Sequence, residues 1–116
     1  MSLFDAEGAR KYLEAREQRE REENENLRRL VLEKTLSALR EEPLEKEVEV
    51  FLVGSVTQPY AFTKSSDIDI VVKNFHQDRF DLWTRLENRI GRNVEVIQFE
   101  NCSFKNHIEK EGLRVR

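Results

Sequence analysis

Apolar residues recur at helical spacing in Leu3, Phe4, Ala6, Ala9, Tyr12 and Leu13, which predicts a helix whose stripe needs a partner surface to cover it. The pattern then vanishes. Glu14 to Asn26 reads EAREQREREENEN, with Ala15 its one apolar residue, and cannot bury a face. It lacks Gly and Pro and sets opposite charges four apart, Glu17 with Arg21, Arg19 with Glu23 and Glu25 with Arg29. A solvated helix follows, with disorder as the alternative. From Leu27 the stripe returns through Leu30, Val31, Thr35, Ala38 and Leu39 until Pro43, a first core helix. The change in composition divides the chain into a charged helical extension, 1–23, and a folded domain, 24–116.

After Val48 the period changes. VEVFLVG reads as a strand closed by Gly54, and turn-forming residues accumulate in TQPYAFTKSS. A second strand starts at Asp67 with IDIVV. His76 to Ile90 returns to helical spacing, with Phe80, Trp83, Leu86 (or Leu82) and Ile90 on one face and Gly91 where a left-handed cap belongs. NVEVIQF is a third strand, and a short helix around Phe104, Ile108 and Glu111 stops at Gly112. This order predicts an α+β fold: a small mixed sheet, helices packed on one face, and a long N-terminal helix.

Composition narrows the function classes. The chain has 116 residues, 37% of them charged, and a mean hydropathy of -0.72, which fits one small domain with a surface-rich extension. No window approaches the roughly 18 apolar residues of a membrane helix, and the start lacks a secretory pattern. A cytoplasmic location without membrane contact is the expectation. Cys102 is the single cysteine, so neither an intrachain disulfide nor a cysteine metal cluster is available. Twenty Lys and Arg against 23 Asp and Glu, net charge -3, argue against nucleic acid as a partner.

The candidate chemistry sits at the strand starts. Asp67 and Asp69, two apart in a strand, share one face, while Ile68, Ile70 and Val72 take the other. Two such carboxylates repel each other unless a cation lies between them, and Mg²⁺ is the hard cation that also binds nucleotide phosphates. A solvated pair on an edge strand is the plainer alternative. Gly54 lets backbone N–H groups approach a phosphate, and Ser55 adds a hydroxyl and a helix N-cap. Glu95 alternates with Val94 and Val96, so the three acids converge if its strand lies beside that of Asp67.

A strand, Gly54-Ser55, an intervening loop and Asp67-Ile68-Asp69 together resemble the signature of the DNA polymerase β-like nucleotidyltransferase superfamily. The small size is similar to its minimal nucleotidyltransferase (MNT) branch, whose members include antitoxins encoded beside HEPN-domain toxins. The resemblance spans about Asn24 to the C-terminus. It implies that Gly54 and Ser55 bind the triphosphate of an NTP, with ATP expected. Asp67, Asp69 and Glu95 would be both the catalytic acids and the ligands of one or two Mg²⁺ ions. It implies transfer of a nucleoside monophosphate to a hydroxyl of a HEPN-type protein partner.

Three features depart from the family pattern. The 11 residues from Val56 to Ser66 exceed its usual spacing by one, VTQPYAF replaces its Arg and Gly, and Glu95 stands for Asp. Loss of a guanidinium removes a bidentate phosphate contact. The competing expectation is therefore a binding module that neutralises its partner by contact. The N-terminal helix would serve for docking or for a homo-oligomer. Lys64, with Arg79 or Arg92, is the candidate replacement for the missing arginine; His76 and His107 read as surface residues, Trp83 as core and Cys102 as a partly buried filler.

Overall fold

The computed structural model describes residues 5–116, so Leu3 and Phe4 of the N-terminal stripe lie outside the described residues. A single helix, α1 (Ala6–Glu41), runs through all three N-terminal segments. Asp5 caps it, its carboxylate accepting from the Gly8 amide at 3.1 Å. The ion pairs on its exposed stretch are Glu7–Lys11, Arg10–Glu14 and Arg16–Glu20 rather than the three expected pairs. Burial begins at Asn24 and Glu25 and continues through Arg28, Val31, Thr35, Ala38 and Leu39. Leu30, expected in the stripe, is 66% exposed, because this face is centred on the 28, 31, 35 and 38 positions. Pro43 disfavours helical geometry at Glu42, whose ψ is 135°.

The free stretch of α1 sets the shape. The radius of gyration is 18.7 Å and the longest extent 71 Å, against about 13 Å for the radius of a compact chain of this length.

Four strands follow: β1 (Glu49–Val53), β2 (Ile68–Lys73), β3 (Val94–Gln98) and β4 (Leu113–Arg114), in the order β3-β2-β1-β4. β2 and β3 are parallel, and β1 is antiparallel to both β2 and β4. α2 (Arg79–Ile90) makes the crossover between the parallel pair. Asp78 caps its start, and Gly91, with φ 77° and ψ 24°, forms the expected left-handed cap. Leu82, Leu86 and Ile90 are its buried face; Phe80 is 66% exposed and stacks on the half-buried Trp83. The expected face was thus turned too far toward the aromatics.

Both long helices lie on one face of the sheet, over Val50, Leu52, Ile68, Ile70, Val72, Val94 and Val96. The expectation of helices on that face alone is corrected at one place. Phe51 and Val71 point the other way and are covered by Phe99 and by Ile108 of the short α3 (Lys105–Glu111). Apolar residues on both sides of the central strands need cover on both sides, hence their near-continuous apolar runs. β4, absent from the sequence reading, brings the C-terminus onto β1, and Arg116 donates to the carbonyls of Leu39 (3.0 Å) and Glu42 (2.6 Å) at the end of α1. No helix among the described residues is long and apolar enough to cross a membrane.

Candidate functional site

Parallel pairing of β2 with β3 sets Asp69 opposite Glu95, and antiparallel pairing with β1 sets it opposite Val53. Strand alternation keeps Asp69 and Glu95 on the sheet face that carries α3, with Asp67 immediately before β2 on the same side. Val94 and Val96 flank Glu95 and are buried, while Glu95 and Asp67 are exposed and Asp69 is half-buried. Burial pushes the Asp69 carboxyl above its ordinary range, and the charges of Glu95 and Asp67 push it further in the same direction. The three acids therefore share one electrostatic neighbourhood.

Gly54 follows Val53 directly, with φ 80° and ψ -161°. A Cβ there would stand 2.7 Å from Oδ2 of Asp69, so both backbone angle and space require glycine. The turn after β1 thus rests on the Asp69 carboxylate. Ser55 does not cap a long helix: it opens a single 3₁₀ turn, Ser55–Thr57, with Gly54 in the cap position and the Thr57 hydroxyl donating to the Gly54 carbonyl at 2.8 Å. Pro59 and the positive φ of Tyr60, 62°, bend the chain away before a helix can grow.

Two arginines grip this loop. Arg28 of α1 pairs with Glu25 and donates to the Val56 carbonyl at 3.1 Å, and Glu25 accepts the Tyr60 amide at 3.3 Å. The Arg28 hydrogen bond is the main cause holding the Glu25 carboxyl below its ordinary range. Arg92 donates to the carbonyls of Lys64 (2.9 Å) and Ser66 (3.1 Å), its guanidinium 4.9 Å from the Phe62 ring centre. Sequence reasoning missed the Arg28 contacts. It put Glu25 in a solvated run paired with Arg29, and no local spacing signals partners 28 and 35 residues away. Arg92, a candidate for phosphate, holds backbone carbonyls. Arg79 lies over Phe80, at the other end of α2 from Gly91.

Lys64 borders a cleft of about 300 Å³ shared by Asp67, Arg92 and Asn93, and a second of about 340 Å³ against Glu20 and Glu23 of α1. His76 and His107 are exposed, and Cys102 is half-buried, its thiol donating to the Gln98 carbonyl at 3.4 Å. Among the described residues, no three His, Cys, Asp or Glu side chains are gathered closely enough to enclose a metal ion. The donor set nevertheless suits Mg²⁺. All three groups are hard carboxylate oxygens, burial and then the charges of Glu95 and Asp67 disfavour the ionised form of Asp69 in the absence of a cation, and Mg²⁺ commonly takes one or two carboxylates and completes its shell with phosphates and water.

No family model and no curated protein matches the chain. It is similar to a chain in a crystal structure of the toxin-antitoxin MntA-HepT, with 20% identity over 76% of this chain and 71% of that one and a TM-score of 0.49. That likeness fixes neither an activity nor a partner.

Proposed function

We propose that this chain is an MNT-type nucleotidyltransferase that acts as the antitoxin of a HEPN-type toxin, transferring NMP from an NTP, with ATP expected, to a hydroxyl of that partner. The observation that supports this reading is the close approach of Gly54 to the Asp69 carboxylate, which sets the turn after β1 against one of the three acids. Gly54 and Ser55 hold the triphosphate, and Asp67, Asp69 and Glu95 supply the oxygens for Mg²⁺. When bound, Mg²⁺ offsets the charge of the phosphates and of the departing pyrophosphate. The acceptor oxygen bonds to the α-phosphorus, the bond to the bridging oxygen of pyrophosphate breaks, and the exposed Glu95 carboxylate takes the hydroxyl proton.

In this reading residues 24–116 form the transferase domain and 1–23 an extension for docking. Tyr12 and Leu13, 61% and 52% exposed, supply its apolar contacts, to the partner or to a second copy.

A second reading, a module that neutralises its partner by contact alone, is favoured by one observation: Arg92, one of the candidate substitutes for the family's loop arginine, is committed to backbone carbonyls. Incubation with α-labelled ATP, Mg²⁺ and the product of the neighbouring gene separates the two. Label on the partner supports transfer; a tight, unlabelled complex supports the module.

A further inference from the structure

The loop from Ser55 to Asp67 is held at two places, each by a different arginine. In its first half, Arg28 reaches the Val56 carbonyl while Glu25, its ion-pair partner, accepts the Tyr60 amide, and the Arg21 guanidinium lies 5.4 Å from the Tyr60 ring centre. In its second half, Arg92 reaches the carbonyls of Thr63, Lys64 and Ser66 while stacked on Phe62. Local bonds close each half separately: Gln58 N–H to the Ser55 carbonyl in the first, Ser66 N–H to the Thr63 carbonyl in the second, both at 3.1 Å. The anchors also come from different elements, α1 for Arg28 and the turn leading into β3 for Arg92. Arg92 stands three residues before Glu95, and next to it the Asn93 carbonyl accepts the Ile68 amide at 3.1 Å.

We propose that Arg28 and Arg92 are positioning residues with separate duties, Arg28 setting the Gly54-Ser55 turn that receives phosphate and Arg92 setting Asp67 against Glu95. This rests on the nucleotide-site reading. Lysine matches neither, since one ammonium cannot reach Glu25 and the Val56 carbonyl from two separate nitrogens as Arg28 does, nor lay a flat cation against the Phe62 ring while one nitrogen meets the carbonyls as Arg92 does.

The test compares Arg28→Lys and Arg92→Lys with the wild-type chain, using Mn²⁺ alone and MgATP as probes in calorimetric titrations. Arg92→Lys should weaken Mn²⁺ about tenfold, as loss of a ligand-orienting partner does, and weaken MgATP with it. Arg28→Lys should leave Mn²⁺ within about twofold and weaken MgATP about tenfold, because only the phosphate side has moved. Equal losses of both probes in both variants, or no loss in either, would overturn the proposal.

Amide hydrogen exchange on the same proteins reads the grips without any ligand. Gln58 and Tyr60 should exchange faster in Arg28→Lys only, and Thr63 and Ser66 in Arg92→Lys only. Loosening of both halves by either variant, or of neither, contradicts separate duties. If the wild type binds neither probe, the nucleotide-site reading falls, and the positioning role falls with it whatever exchange reports about the grips.

Discussion

Asp69 and Glu95 are Cα partners across the parallel β2–β3 ladder, so their side chains stand next to each other on one face with Gly54 packed against the first. Two acids so placed cost stability when both are charged, and the pH dependence of folding should show it.

The sign follows from the direction of the shift. The folded-state pKa of Asp69 lies above its ordinary 3.8. Its contribution is therefore fully present below that value and lost as pH rises through the folded pKa. Without metal, the Asp69 part of the stability should decline upward from pH 4, and Asp69→Asn should remove that decline. At pH 7 the variant should melt higher by no more than about 4 °C, because solvent screens a half-exposed carboxylate. Melting curves from pH 4 to 8 without metal check this; an unchanged pH profile in the variant would contradict it.

Gly54→Ala should cost about 1 to 3 kcal/mol, for a backbone angle that only glycine adopts easily and for a Cβ driven into Asp69. Adding Asp69→Gly should recover the steric share and leave the angular share, which a double-mutant cycle in urea separates. Full additivity would mean that the two residues do not touch.

α2 offers a test of its corrected face. Leu86→Ala should cost about 2 to 5 kcal/mol, as buried leucines do. Phe80→Ala should cost no more than about 1.5 kcal/mol, the worth of its stacking on Trp83. Urea titration measures both, and comparable losses would restore the aromatic face.

Local patterns carried a large part of this molecule. The shared face of Asp67, Asp69 and Glu95 follows from strand alternation, and the cap at Gly91 from the geometry open to glycine. The rest depends on partners distant in sequence. Glu25 and Arg28 look like any members of a charged run until the loop after β1 packs on them. Ile108 leaves no mark of which sheet face it covers. A two-residue strand such as β4 is too short to have a period at all.

The C-terminal contact is one such distant relation, and Arg116→Ala tests it. The guanidinium meets the last carbonyls of α1, where the helix dipole favours positive charge. Its loss should cost about 1 to 3 kcal/mol in thermal or urea unfolding. A change under about 0.5 kcal/mol, ordinary for a surface position, would contradict the cap.

The most direct measurement for the account as a whole is the melting temperature of the wild-type chain, Asp67→Asn and Asp69→Asn with Mg²⁺ and a non-hydrolysable ATP analogue. A ligand at a hundred times its Kd adds about 2.7 kcal/mol, so the wild type should melt several degrees higher with metal and analogue together. Each variant should fold and lose most of that gain. A wild type that does not respond at millimolar ligand, or variants that respond equally, would contradict a nucleotide site built on these carboxylates.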